Sequence, residues 1–525
     1  MKKISLLIML LIAVNLLAQE HKIIPEPSEL QKREGVFKFS PAKQSILSDS
    51  YLQFEASYLT DMLSSNFSIQ AGVVTNEKLS NSIKLLVDES MTDREAYALE
   101  IDKNQIVIKG GSATGVFYGI QSLQQWMWGS YHAIENTVSC VKIIDKPKYE
   151  YRALMLDPAR HFLKLEGLKQ YVDVMAKYKY NRLHLHLSDD QGWRIEVKKY
   201  PLLTELGSVR KETEGDGVPH SGFYSQQDMK ELVAYAAKRH VTIIPEIDVP
   251  GHSVAAIVAY PHLTCFDEEL EVRTTPGVSK NLLCAGNDEV FTFLDDVIAE
   301  LAEVFPGDEF HIGGDEAPLD HWKECPKCQK KLKSLGEDTP QYLMSYFFKR
   351  VNQSLQKNNK RPLIWYELDV PFYPENSTMY TWRMGLSSKV IKKSRKMGYK
   401  LISCPGEHAY FDYPQAKGEE TCDWMPILSL EQVYQFNPAM GVKKSDHIIG
   451  VEASLWGEYV KDIERAFYMT WPRGMALAEA GWSGSQNRSW KDFTNKLNSH
   501  FKYFDRIGVA YRFPAEVFNT QKNKP

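Results

Sequence analysis

From Tyr151 onward, short apolar runs alternate with amphipathic helical stretches, and no other feature constrains the fold of this 525-residue chain as tightly. Such alternation is the pattern of βα units and therefore of a parallel sheet. Eight runs read as strands: Arg152–Leu156, Asn181–Leu187, Val241–Ile247, Glu309–Ile312, Pro362–Tyr366, Thr378–Trp382, Leu401–Cys404 and His447–Val451. Helical stretches lie between most of them, at Gly167–Tyr178, Gln226–Arg239, Asp288–Phe305, Gln341–Lys357 and Lys389–Met397, and the segment Ile463–Glu479 closes the ring. Eight strands with intervening helices predict an α/β fold of the (β/α)8 barrel type over residues 148–525, with a C-terminal helical segment. A barrel of this kind is filled by branched side chains and carries its chemistry at the C-terminal strand ends.

Residues 19–147 read differently. Ser82–Asp88 is a strand candidate. Tyr97–Asp102 and Gln105–Lys109 make a hairpin about Lys103-Asn104, and Thr114–Trp128 is a helix with Val116, Ile120, Leu123 and Met127 on one face. A small α+β domain is expected here, ending near Pro147. Ahead of it, Lys2 and Lys3 precede an apolar run from Ile4 to Leu17, which reads as a signal peptide over residues 1–18. That run falls short of the roughly 20 residues a membrane-spanning helix needs. The expectation is an exported protein, periplasmic or extracellular, with no membrane span.

A net charge of −4, with no stretch rich in Lys and Arg, gives no reason to expect a nucleic acid as partner. The sequence is silent on oligomeric state. In an export setting, seven cysteines leave at least one thiol outside any internal disulfide. Cys325-Pro-Lys-Cys328 has the spacing of half a zinc site, but no second half of comparable spacing stands out, so a local disulfide or two free thiols is expected there. No metal or organic cofactor is expected.

Polar and aromatic residues gather at the strand ends. The first run leads to Asp157-Pro-Ala-Arg160-His161, the second to Ser188-Asp189-Asp190-Gln191, and the third to Glu246-Ile-Asp248-Val-Pro-Gly-His252. His311-Ile-Gly-Gly-Asp315-Glu316 ends the fourth. Trp365 and Trp382 end the fifth and sixth, Tyr410-Phe-Asp412 follows the seventh, and Leu455-Trp456-Gly-Glu458 the eighth. A lone Trp is ordinarily core and a lone Asp after a strand is ordinarily a helix cap; their coincidence at all eight ends argues for a site. A mouth of carboxylates and tryptophans suits a sugar, because aromatic faces pack on a pyranose ring while carboxylates and Arg hold its hydroxyls. Glycoside hydrolysis needs a proton donor for the leaving oxygen and negative charge near the oxocarbenium-like centre. Asp315 and Glu316 are adjacent, and neighbours in an extended segment point to opposite sides. They therefore cannot form the usual opposed pair, at about 5–5.5 or 6.5–9.5 Å. Adjacency suits one acid and one helper. The paired glycines before them are expected to let a ligand approach closely.

Taken together, Asp157-Pro-Ala-Arg160-His161-Phe162, His184-Leu-His-Leu-Ser-Asp189-Asp190-Gln191-Gly-Trp193, Pro250-Gly-His252, His311-Ile-Gly-Gly-Asp315-Glu316, Tyr410-Phe-Asp412-Tyr413 and Leu455-Trp456-Gly-Glu458-Tyr459 have a specific order and spacing. From about residue 80 to 515 the chain resembles bacterial family 20 glycoside hydrolases, the β-N-acetylhexosaminidases. The resemblance implies exo action on a terminal N-acetylhexosamine of a glycan, with retention of configuration and the substrate's own acetamido oxygen as nucleophile, through an oxazolinium ion. It implies Glu316 as acid and base, and Asp315 as the group that orients the acetamido N–H and stabilises positive charge. Tyr410 would bond the acetamido oxygen, and Trp365, Trp382 and Trp456 would wall the acetyl pocket. Arg160, Glu458 and Asp412 would hold the sugar's other polar groups, and Asp189 with His252 would tune the acid. Arg152 is expected to be structural, and Asp190, Glu246 and Asp248 to be supports. The stretch Ser403–His408 is unusual beside the Tyr410 motif, and Asp369 and Glu407 are expected to add negative charge at the rim. Two rival readings differ in chemistry: a glycosidase with two protein carboxylates, using Glu367 or Glu458 as nucleophile, and a non-catalytic sugar-binding barrel.

Overall fold

The computed structural model describes residues 21–522, apart from 75–79, 267, 423 and 485–487. The expected signal segment lies outside the described residues.

A closed barrel of eight parallel strands forms the larger part. We number its strands β1 (Tyr151–Leu156), β2 (Arg182–His186), β3 (Thr242–Glu246), β4 (Glu309–His311), β5 (Arg361–Trp365), β6 (Thr378–Thr381), β7 (Lys400–Ser403) and β8 (Ile448–Leu455), with β8 pairing back to β1. Each expected strand is present to within a few residues, because strands covered on both faces read as largely apolar runs. Helices Gln226–Ala237, Asp288–Val304 and Gln341–Lys357 lie where their apolar spacing puts them. The closing segment does not form one helix. It breaks into Ile463–Thr470 and Arg473–Trp482 at Pro472, which lacks the N–H that would continue the first helix and clashes with its preceding turn.

The smaller part is a mixed sheet ordered Glu29–Lys38, Thr137–Asp145, Tyr97–Ile101, Gln105–Gly110, Ser82–Val87, Gln44–Ser48, Ala71–Val74, with helices Gln53–Phe67 and Ala113–Ser130. Arg152 joins the two parts. It is buried at the start of β1, pairs with Glu95 at 2.8 Å and donates to the Lys179 and Tyr149 carbonyls, as its structural reading requires. Truncating one member of such a buried pair leaves an unpaired charge and typically costs about 3–5 kcal/mol.

Cys325 and Cys328 are free thiols, one of the two states expected for them. Cys265 and Cys284, far from each other in sequence and so without a recognisable spacing, come together with them in space.

Candidate active site

The strand ends converge on a cavity of about 220 Å3. Its walls include Arg160, Asp189, Asp248, His252, Asp315, Glu316, Trp382, Tyr410, Asp412, Trp456 and Glu458. Ten of these were expected in the site. Trp365 is the exception: it is 1% exposed and stands behind the wall, with its ring 5.8 Å from that of Trp456 and its Nε1 donating to Glu246 at 2.8 Å. Trp382 and Trp456 face the cavity themselves.

Arg160 is held from several sides. Its guanidinium reaches Asp157 at 2.8 Å and Asp189 at 2.8 Å, donates to Gln191 at 3.0 Å, and lies over the Trp456 ring at 5.2 Å. Glu458 sits across the cavity at 4.0 Å. Asp157 also accepts the Gly457 N–H at 2.8 Å, so one carboxylate ties the end of β1 to the end of β8.

Asp189, fully buried, accepts from His186 at 2.8 Å and lies 3.1 Å from Nδ1 of His252. Behind it, Glu246 contacts His186, His184 at 3.1 Å and His311 at 2.8 Å, and His184 reaches Glu452 at 2.9 Å. Alternating carboxylates and imidazoles thus run from the barrel interior to the cavity wall. Burial raises the Asp189 carboxyl, but Arg160 and His252 prevail and hold it well below the usual carboxylate range. For His252, burial pulls down, but Asp189 together with Asp248 and Asp315 outweighs it, and the imidazole ends well above its ordinary value. Neither Asp190 nor Glu246 lines the cavity. Asp190 accepts the Val254 N–H at 3.1 Å, whereas Asp248 reaches the cavity wall.

Asp315 and Glu316 do not point to opposite sides. Glu316 has φ 46°, a left-handed conformation that costs a non-glycine residue on the order of 1–3 kcal/mol. That turn brings one oxygen of each acid and one nitrogen of His252 within 4.8 Å of one another. His252 is itself left-handed, at φ 49°. The two glycines before the acids have positive φ as well, but their lack of Cβ serves the protein rather than a ligand. A Cβ on Gly313 would overlap the Asp248 side chain, and one on Gly314 would press on Phe348. Burial, reinforced by Glu316 and opposed by His252, pushes Asp315 up to about 7.

Several buried polar atoms at the cavity have no hydrogen-bond partner among the described residues: Asp315 Oδ1, Asp412 Oδ1, Glu458 Oε2, Trp382 Nε1 and His252 Nε2. Unpaired buried polar atoms are uncommon in folded proteins, and a cluster of them facing one cavity marks a place for a polar ligand. Burial and the neighbouring Glu458 raise Asp412 well above the carboxylate range.

A second cleft of about 510 Å3 lies beyond Glu316, the residue common to both linings. Glu367, Asp369 and Arg383 line it. Arg383 stacks on Trp382 at 4.0 Å and grips Glu367 through two bonds, at 2.6 and 3.1 Å. Asp369 is thus at the rim as expected, while Glu407 is not. Glu407 turns to accept the Gly385 N–H at 2.8 Å, and the Cys404 thiol beside it is buried against Ser454. The sequence reading missed Arg383 and also Trp424, which lines the sugar-sized cavity from an exposed loop. Arg383 directly follows the strand-end Trp382 and could have been found there, whereas Trp424 follows no strand end and only proximity in space reveals it.

Comparison with known proteins gives a consistent picture. Residues 149–485 match the model of the glycosyl hydrolase family 20 catalytic domain, and residues 20–146 that of glycosyl hydrolase family 20, domain 2. The chain is 40% identical over 454 residues to a beta-hexosaminidase of Akkermansia muciniphila, covering 86% of this chain and 91% of that one. It is 39% identical over 506 residues to a beta-hexosaminidase of Porphyromonas gingivalis, covering 94% and 64%. Among solved structures it resembles an exo β-N-acetylglucosaminidase from Vibrio harveyi in complex with N-acetylglucosamine, at 30% identity and a TM-score of 0.85, covering 94% of this chain and 78% of that one.

Proposed function

The chain belongs to glycosyl hydrolase family 20, and from that premise we propose how its pocket works as an exo-acting β-N-acetylhexosaminidase. The enzyme removes terminal, non-reducing, β-linked N-acetylglucosamine or N-acetylgalactosamine by substrate-assisted catalysis. One observation carries the reading: a single small cavity lined by buried, unpartnered polar atoms, with Glu316 at its boundary with a second cleft. The terminal sugar occupies the small cavity and the rest of the glycan leaves through the cleft. At 220 Å3 the cavity lies below the roughly 300–1,000 Å3 of pockets for larger ligands, which suits one sugar ring.

Each side chain then has a task. Glu316, between the two spaces, protonates the glycosidic oxygen and later takes a proton from water. Asp315 accepts the acetamido N–H through the oxygen that lacks a partner and, once ionised, stabilises the oxazolinium charge. Tyr410 donates to the acetamido oxygen and so aims it at the anomeric carbon, which that oxygen attacks as the glycosidic bond breaks. Trp382 and Trp456 wall the pocket, with Trp365 backing them. Arg160, Glu458 and Asp412 bind hydroxyls and close the far end, which enforces exo action. Asp189 keeps His252 protonated beside the acid.

Glu367 makes a poor nucleophile because Arg383 occupies both of its oxygens. That counts against the two-carboxylate reading that uses Glu367 as nucleophile. The positive start and apolar run of residues 2–17 support export, with the enzyme acting in the periplasm or outside the cell. Among the described residues no helix is long and apolar enough to cross a membrane.

The test is a set of defined oligosaccharides ending in each sugar, together with a thiazoline that mimics the oxazoline. Release of the terminal sugar alone and tight thiazoline binding are expected. Internal cleavage, or no inhibition, overturns the proposal.

A further inference from the structure

Four cysteines meet behind the catalytic loops. Cys284 lies 3.5 Å from Cys328 and 3.8 Å from Cys325, sulfur to sulfur, and Cys265 lies 3.7 Å from Cys328. All four sulfurs fall within 4.8 Å of one another, and Cys284, Cys325 and Cys328 are at most 1% exposed. None is in a disulfide. Sulfurs joined in a disulfide stand about 2.05 Å apart. Four thiolates on a tetrahedron with zinc–sulfur bonds of about 2.3 Å stand about 3.8 Å apart. These three separations match the tetrahedron.

The backbone is shaped for the same purpose. Cys325-Pro-Lys-Cys328 makes a tight turn into the helix Pro326–Ser334. Gly286 lies so close to that turn that a Cβ would sit 2.2 Å from the Lys327 carbonyl carbon and 2.4 Å from the Cys328 nitrogen. Only glycine permits this approach, which brings Cys284 against Cys328. Hydrogen bonds from Leu283 N–H to the Pro250 carbonyl, at 3.0 Å, and from Trp322 Nε1 to the Leu283 carbonyl, at 3.0 Å, fix the surrounding loops.

We propose that Cys265, Cys284, Cys325 and Cys328 bind one zinc ion as four thiolates, and that the ion pins together the loop carrying His252 and the loop carrying Asp315 and Glu316. Each thiol gives its proton to solvent as the ion binds, and no redox step is involved. Four sulfur ligands complete the tetrahedron, so the site is structural and has no open position for chemistry. Cys265 and Cys284 belong to the stretch that begins at Pro250-Gly-His252, and Cys325 and Cys328 to the stretch that begins at Asp315-Glu316. The ion therefore ties these two stretches to each other. The zinc site itself is independent of the sugar chemistry proposed above.

The test uses the untagged full chain. Elemental analysis should find about one zinc per chain, as a closed tetrathiolate site requires. Replacement by Co2+ should give the thiolate-to-cobalt charge-transfer and tetrahedral d–d bands. The double substitution Cys325→Ser/Cys328→Ser should abolish both signals and lower the Tm. Should that variant fail to fold, the metal content and cobalt spectrum of the wild-type chain decide alone. A metal-free chain, or peptide mapping that finds disulfides among these four cysteines, overturns the proposal.

Discussion

Nε2 of His252 lies 3.9 Å from Oε2 of Glu316, while Nδ1 of the same ring lies 3.1 Å from Asp189. The imidazole is thus interposed between a permanently ionised carboxylate and the proposed acid. When Glu316 gives up its proton to the leaving oxygen, the imidazolium faces the new carboxylate and stabilises it. Burial opposes a protonated His252, and Asp189 supplies the largest counterweight. Asp189→Asn removes that counterweight, so His252 should lose its proton at lower pH. The alkaline limb of kcat/KM should move downwards accordingly. A pH profile of this variant checks the relationship, and an unmoved limb counts against a role for the imidazolium.

Glu316→Gln should remove most activity towards substrates with poor leaving groups. Positioned acid catalysis typically contributes about 10²–10⁴-fold. An activated aryl leaving group needs less help, so its bond-cleavage step should suffer less. Rates across a series of leaving groups provide the measurement, and equal losses throughout would exclude Glu316 as the acid.

Attack by the substrate's acetamido oxygen, followed by attack of water, inverts the anomeric carbon twice. The first-formed free sugar should therefore be the β anomer. Proton NMR during the first minutes of reaction reads this out, before mutarotation mixes the anomers. An α product would rule the mechanism out.

Much of this site is legible in the sequence because barrel strands are short and each ends where its apolar run ends. Arg160, Asp189, His252 and Glu458 could be placed at the mouth without coordinates for that reason. What the sequence hides is orientation. Asp315 and Glu316 read as an extended pair pointing apart, but the left-handed φ of Glu316 turns both acids towards His252. The family resemblance implies Trp365 as a wall, yet at the end of its strand the indole bonds to Glu246 behind the wall. The four cysteines escape because their partners are set by how two long loops fold back on one another. A local spacing rule finds Cys325 and Cys328 and stops there.

Asp315→Asn should slow the enzyme and stabilise it at the same time. Asp315 is not a helix cap: the next helix, Asp320–Glu324, begins after Leu319, and Asp315 Oδ1 has no hydrogen-bond partner among the described residues. Burial, first among its causes, raises its carboxyl from an ordinary 3.8 to about 7. The sign follows from linkage. Below pH about 4 the acid is protonated in both folded and unfolded chains and contributes nothing. Between about 4 and 7 the unfolded chain loses this proton while the folded chain keeps it, so stability is progressively lost as pH rises. Above about 7 the loss is complete, on the order of a few kcal/mol at most. Asparagine cannot ionise and escapes that loss. The Tm of the variant should match the parent near pH 4, exceed it increasingly up to pH about 7, and hold a constant excess beyond. Its kcat should fall, because the amide still accepts the acetamido N–H but offers no full charge to the oxazolinium. Thermal melts across pH and steady-state kinetics test the two halves separately. A solvated acid would give neither change. A purely structural acid would give no loss of rate, and a kcat within a factor of about three of the parent, well under 1 kcal/mol, would remove Asp315 from the chemistry.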